Sequence, residues 1–88
     1  MDRETILWSY EKNKLLEEAR GVCFEQVLAA IEDDKVLGDV NNSNYPNQRI
    51  LIVEIEGYVY NVPYVIDGEK VFLKTLFPSR KSKKIYGK

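Results

Sequence analysis

The stretch from Arg49 to Ile66, "RILIVEIEGYVYNVPYVI", constrains the fold more than any other part of the chain. Its apolar residues are grouped in two runs of strand length on either side of a glycine. Two strands joined by a tight turn at Gly57 must pair antiparallel. A lone hairpin is marginal in water, so the remaining chain has to add strands and cover a face. "RILIV" is apolar on both faces, which predicts a central strand over Arg49 to Glu56. In the partner strand, Tyr58 to Ile66, residues Tyr58, Tyr60, Val62, Tyr64 and Ile66 share one face. Pro63 lacks a ladder donor, which predicts a sheet edge or a bulge at that point.

Two further strands are expected around this hairpin. One covers Lys35 to Val40 and is followed by the turn-rich loop "NNSNYPNQ". The other runs from Lys70 to Phe77 after the Asp67-Gly68 turn signal. Its Val71, Leu73 and Thr75 share one face, and Lys70, Phe72 and Lys74 the other. Two helices precede the strands. The first spans about Tyr10 to Arg20, with Leu15, Leu16 and Ala19 on its inner face and Gly21 as its stop. Leu7 and Trp8 are expected to pack beneath it. In the second, Phe24, Val27, Leu28 and Ile31 follow the spacing of one buried helical face. Cys23 stands at its N-cap with Gln26 three residues on, a capping-box arrangement. Pro78 ends the last strand, and Ser79 caps a short helix through about Tyr86. The expectation is one α+β domain over residues 1–88: two N-terminal helices, an antiparallel four-stranded sheet and a short C-terminal helix.

Charge is segregated along this plan. Residues 1–68 hold 13 acidic and 6 basic side chains; residues 69–88 hold 1 and 7. A field divided in this way suggests an anionic partner for the C-terminal end, although a solvated lysine tail has the same composition. The chain has no histidine and one cysteine. That excludes an internal disulfide, a Cys/His zinc site and any histidine-based catalytic pair. With no base beside it, Cys23 reads as structural. Glu32, Asp33 and Asp34 at the end of the second helix read as carboxylates facing water, and no metal or cofactor is expected. No apolar run is long enough to span a bilayer and no cleavable signal pattern opens the chain, so a cytoplasmic protein without membrane contact is expected.

Two blocks carry a likeness to a known family. "WSYEK" at Trp8 to Lys12 is followed, eight residues later, by "GVCFEQV" at Gly21 to Val27. With "SRKSKKIY" at Ser79 to Tyr86, these resemble the W-D-x-x-K opening, the G-V-S-F-E-E-A-like helix start and the S-A-R-K-A-T…Y tail of BrnT-type toxins. Three positions depart from that pattern: Ser9 replaces Asp, Arg20 stands where His is frequent, and Cys23 replaces Ser. The resemblance implies a RelE-like fold and a metal-independent ribonuclease toxin of a type II toxin–antitoxin pair. It implies RNA as substrate and, as partner, an antitoxin of the ribbon–helix–helix DNA-binding type. It places Lys12, Arg20 and Arg80 at the family's basic positions and Tyr86 at its C-terminal aromatic.

Cleavage of RNA by its own 2′-hydroxyl needs a base, a counter-charge for the phosphorane and an acid for the leaving oxygen. Without histidine, lysine, carboxylate or tyrosine must serve. Arg80 is expected to hold the scissile phosphate with two hydrogen bonds. Lys74 or Lys12 is the candidate acid or base, with Lys74, Arg80, Lys81 and Lys84 forming one cluster if the last helix packs on the fourth strand. Tyr86 stacks on a base or donates a proton, and Arg49, Arg20, Lys81 and Lys84 are the candidate RNA contacts. Simpler roles compete: Lys12 and Arg20 paired with helix carboxylates, Arg49 paired across strands, Tyr86 laid on the sheet. Two non-catalytic readings also stand. One is an inactive BrnT-like protein that binds protein or RNA. The other is an interaction module using a sheet edge near Pro63 and the tyrosine stripe.

Overall fold

The computed structural model of the chain describes residues 5–87. Their order is β1 (Ile6–Trp8), α1 (Tyr10–Arg20), α2 (Phe24–Glu32), β2 (Val36–Asn41), β3 (Arg49–Ile55), β4 (Tyr58–Asp67), β5 (Lys70–Leu73), β6 (Phe77–Pro78) and α3 (Arg80–Tyr86). The sheet runs β1-β5-β4-β3-β2, with β6 pairing β4 beyond the end of β5. The expected α+β class and all three helices are present. The expected four-stranded, wholly antiparallel sheet is corrected to six strands with one parallel pair, β1 with β5. β1 and β6 have three and two residues, too few to display an alternation.

β3 is central, as its two apolar faces require, lying between β2 and β4. Glu56 and Gly57 form the two-residue turn to β4, both with positive φ, 51° and 80°. That backbone is why a glycine stands there. β4 is not an edge: β3 flanks one side, β5 and β6 the other. Its Pro63 is accommodated differently. In an antiparallel strand a residue's nitrogen and carbonyl face the same neighbour. The Pro63 carbonyl accepts from the Lys74 amide at 2.8 Å, so its donorless nitrogen faces the break between β5 and β6. The expected single strand from Lys70 to Phe77 is split there. The break also resets the alternation, burying Leu76 where continued phase would have buried Thr75.

α1 and α2 cover one face. Leu16, Phe24, Val27, Leu28 and Ala30 form a single core with Leu51, Val53 and Ile55 of β3 and Val62 and Tyr64 of β4. Trp8 joins it at 5.6 Å from the Phe24 ring. Leu7 does not: it is 41% exposed, because in β1 it faces away from Ile6 and Trp8. α1 is held by less of its surface than expected, since Leu16 is buried while Leu15 and Ala19 are exposed.

A polar clamp joins the two helices. Asn13 of α1 accepts from the Phe24 amide (2.7 Å) through Oδ1 and donates to Glu25 Oε1 (2.7 Å) through Nδ2. It therefore satisfies one of the amides that the first turn of α2 leaves open. Gln26 closes the same turn by accepting from the Cys23 amide at 2.9 Å. Burial pushes the Cys23 thiol up from its ordinary range, which suits a structural and unreactive cysteine.

Candidate functional site

The opposite face of the sheet belongs to α3. Ser79 caps this helix, its hydroxyl accepting from the Ser82 amide at 3.1 Å, while the Ser79 amide donates to the Val59 carbonyl at 3.1 Å. Ser82 is buried against β4 and its hydroxyl donates to Asn61 Oδ1 at 2.6 Å. The Tyr86 ring lies on the backbone of β2 at Gly38; a Cβ there would come within 2.8 Å of Cε1. The absence of a side chain at position 38 is what lets α3 lie this close. The basic terminus is thus folded against β4, β3 and β2 as an ordered layer.

α3 divides its cations between two sides. Arg80 and Lys84 line a shallow hollow with Lys83, whose ammonium sits 4.5 Å from the Tyr58 ring centroid. Lys81 lies on the other side with Ser82, Ile85 and Tyr86, along a groove floored by Ile50 and Ile52. Lys74, just beyond the C-terminal end of β5 with its ammonium 5.3 Å from the Phe72 ring, lines the adjoining half of that groove. Asn42, Asn44, Ile50 and Asn61 border both halves, so the two form one concave surface. The expected cluster of Lys74, Arg80, Lys81 and Lys84 is therefore parted: Lys74 and Lys81 border the groove, Arg80 and Lys84 the outer hollow. The reason is helical spacing, which puts residues 80, 83 and 84 on one side and 81, 82 and 85 on the other. None of these cations forms an ion pair with a described residue.

The remaining candidates lie elsewhere. Lys12 and Arg20 belong to α1, on the other face of the sheet, and neither pairs with a described carboxylate. Ser9 caps that helix, accepting from the Lys12 amide at 3.2 Å. Arg49 is on the face covered by α1 and α2, and its guanidinium is occupied. Nε donates to Asp39 Oδ1 (3.0 Å), Nη1 to Asn41 Oδ1 (2.7 Å) and Nη2 to the Asp39 carbonyl (3.1 Å). The Asp39 bond raises the guanidinium's pKa further. The Tyr64 hydroxyl donates to the other Asp39 oxygen at 2.7 Å. Burial, and then the Asp39 carboxylate, push this phenol up to about 12. The network bolts β2, β3 and β4 together at one end.

The tyrosine stripe expected to serve as an interface is largely internal. Tyr64 is 2% exposed, and Tyr58 and Tyr60 are half-buried with ring centroids 5.9 Å apart. Pro63 is likewise interior, so the edge-binding module loses the surface assigned to it. Among the described residues no three of His, Cys, Asp and Glu group closely enough to hold a metal ion, and no helix is long and apolar enough to cross a membrane.

The amides were missed in the sequence. Asn42, Asn44 and Gln48 sit in "NNSNYPNQ", where asparagine signals turns and nothing more. Asn61 offered a better clue, as a polar residue in an otherwise apolar strand. The chain matches no family model, no curated protein and no solved structure at a significant level.

Proposed function

We propose that the protein is a small metal-independent endoribonuclease of the BrnT type, with a RelE-like use of the sheet face beneath its C-terminal helix. The observation that carries this reading is the docked α3, which sets Lys81 on a groove shared with Lys74 and holds Arg80, Lys83 and Lys84 along the hollow on its other side. A nearly neutral chain gathers positive charge on one surface, where phosphates supply the counter-charge. Arg80 binds the phosphate under attack and offsets its developing charge. Lys84, which shares the hollow with Arg80, handles the proton of the attacking 2′-hydroxyl, while Lys74 and Lys81 on the groove hold neighbouring phosphates. The 2′-oxygen attacks phosphorus, the 5′-oxygen leaves with a proton, and a 2′,3′-cyclic phosphate remains. Lys12 and Arg20, across the sheet, take no part. Under this reading an antitoxin of the ribbon–helix–helix type covers the same basic surface and holds the toxin inactive.

A second reading, RNA or protein binding without cleavage, draws on other observations. The chain has no histidine, the Arg49 guanidinium is taken up by Asp39 and Asn41, and the Tyr86 ring rests on Gly38. One experiment separates the two. Purified protein incubated with single-stranded RNA in EDTA is expected to yield cyclic-phosphate ends, and Arg80→Ala to slow this by roughly a hundredfold. Expression of the intact chain should slow bacterial growth, and Arg80→Ala should relieve it. RNA bound but left intact would establish the binding module and end the ribonuclease reading.

A further inference from the structure

The groove is more than a cationic channel. Its floor is apolar, with Ile50, Pro63 and Phe77, and its border carries the carboxamides of Asn42, Asn44, Gln48 and Asn61. Lys74 and Lys81 stand in its two halves, and no carboxylate lines either one. The half next to Lys74 encloses about 410 Å³, within the range of small-ligand sites. The loop that forms its wall is braced from within. Asn42 is buried and accepts from the Asn44 amide at 3.0 Å, while the Gln48 amide donates to the Tyr45 carbonyl at 2.9 Å. That bracing leaves the Asn44 carboxamide and the exposed Tyr45 ring without a protein partner among the described residues. Asn61 gives only its Oδ1 to Ser82, so its Nδ2 likewise has no partner among the described residues.

We infer that this groove is a base-reading subsite for single-stranded RNA. One unpaired nucleobase lies on the apolar floor, with its edge read by the Asn44 carboxamide and the Asn61 Nδ2. The flanking phosphates go to Lys74 and Lys81. A carboxamide offers a donor and an acceptor side by side, which is the pairing a nucleobase edge presents. A flat apolar floor beside an unengaged tyrosine accepts any base by stacking, so selectivity falls to the amides. Lysines alone would bind every sequence alike. The inference rests on the RNA reading above and assigns it a specificity site.

Binding of the full chain to 2′-O-methyl hexamers of A, C, G and U tests this, because these RNAs lack the attacking hydroxyl and report binding apart from cleavage. Fluorescence anisotropy is expected to separate the best from the worst base by at least about fivefold. Asn44→Ala should narrow that difference while the salt dependence, which counts phosphate contacts, stays unchanged. Tyr45→Ala should weaken all four hexamers by a similar factor. Four affinities within twofold of one another, or a base preference left unchanged by Asn44→Ala, would overturn the subsite. Unmodified RNA cut without base preference would remove the subsite and leave the nuclease. Base-selective binding without any cleavage would do the reverse.

Discussion

Removing the Ser82 hydroxyl probes the contact on which the functional surface depends. Ser82 is 6% exposed, and its bond to Asn61 Oδ1, at 2.6 Å, is, among the described residues, the side-chain hydrogen bond that joins α3 to the sheet. Ser82→Ala deletes a neutral hydrogen bond worth about 1 kcal/mol and leaves a partly buried amide oxygen to be desolvated, about another 0.5–1 kcal/mol. Backbone capping by Ser79 is untouched, so the helix itself persists. The expected cost is ~1–2 kcal/mol, a fall in Tm of roughly 5–15 °C for a domain of this size. A double-mutant cycle with Asn61→Ala isolates the bond, and thermal unfolding of the four proteins should give a coupling energy near 1 kcal/mol. Hydrogen exchange adds a local readout, since the amides of α3 should lose protection before those of β3 and β4. A coupling energy below about 0.3 kcal/mol, with α3 protection unchanged, would show that the helix is held by Tyr86 and its apolar contacts alone. Polar docking would then not be what holds α3 to the sheet.

Two further outcomes follow from the polar networks. Tyr64→Phe removes the donor to Asp39, which solvent and Arg49 partly replace because the Asp39 side chain is 41% exposed, so a loss of ~1 kcal/mol is expected in urea at pH 7. Because the native phenol is held near 12 rather than its ordinary 10, its contribution is full below pH 10 and fades as pH rises towards 12. The variant should therefore lose stability less steeply across that window; parallel pH curves would contradict the assignment. Asn13→Ala opens the clamp between α1 and α2 and should cost ~1–2 kcal/mol, as loss of a helix cap does, read by urea unfolding followed by circular dichroism. The Asn13 bond holds the Glu25 carboxyl below its ordinary 4.5. Its contribution is present above that pH and lost as pH falls through the lowered value, so the wild-type advantage should shrink on acidification. An advantage constant from pH 7 into the acid range would show that Glu25 is not part of the clamp.

The helices and the hairpin are legible in the chain because their signals are local. α1 ends at Gly21, α2 begins after Cys23 and α3 after Ser79, where caps and apolar spacing place them. The β3–β4 turn falls at Gly57 for the same reason. β1 was not legible: three residues carry no period, and its parallel pairing to β5 depends on residues more than 60 positions away. Leu15 and Leu16 look alike in sequence, yet only Leu16 is buried, because the angle at which α1 meets the sheet decides which one turns inward.

The same division runs through the functional surface. Local pattern alone determined that a basic helix follows the Ser79 cap; that its cations part between two sides, instead of forming the one expected cluster with Lys74, was read only from the structure. Only the tertiary structure decided that Arg49 would be spent on Asp39, that Lys12 would lie across the sheet, and that a turn-forming loop would lend its amides to a groove beside Lys74 and Lys81. Helical and strand periods are written in near neighbours. Which faces meet is set by burial and hydrogen bonding between segments far apart in sequence, and no short stretch carries that information.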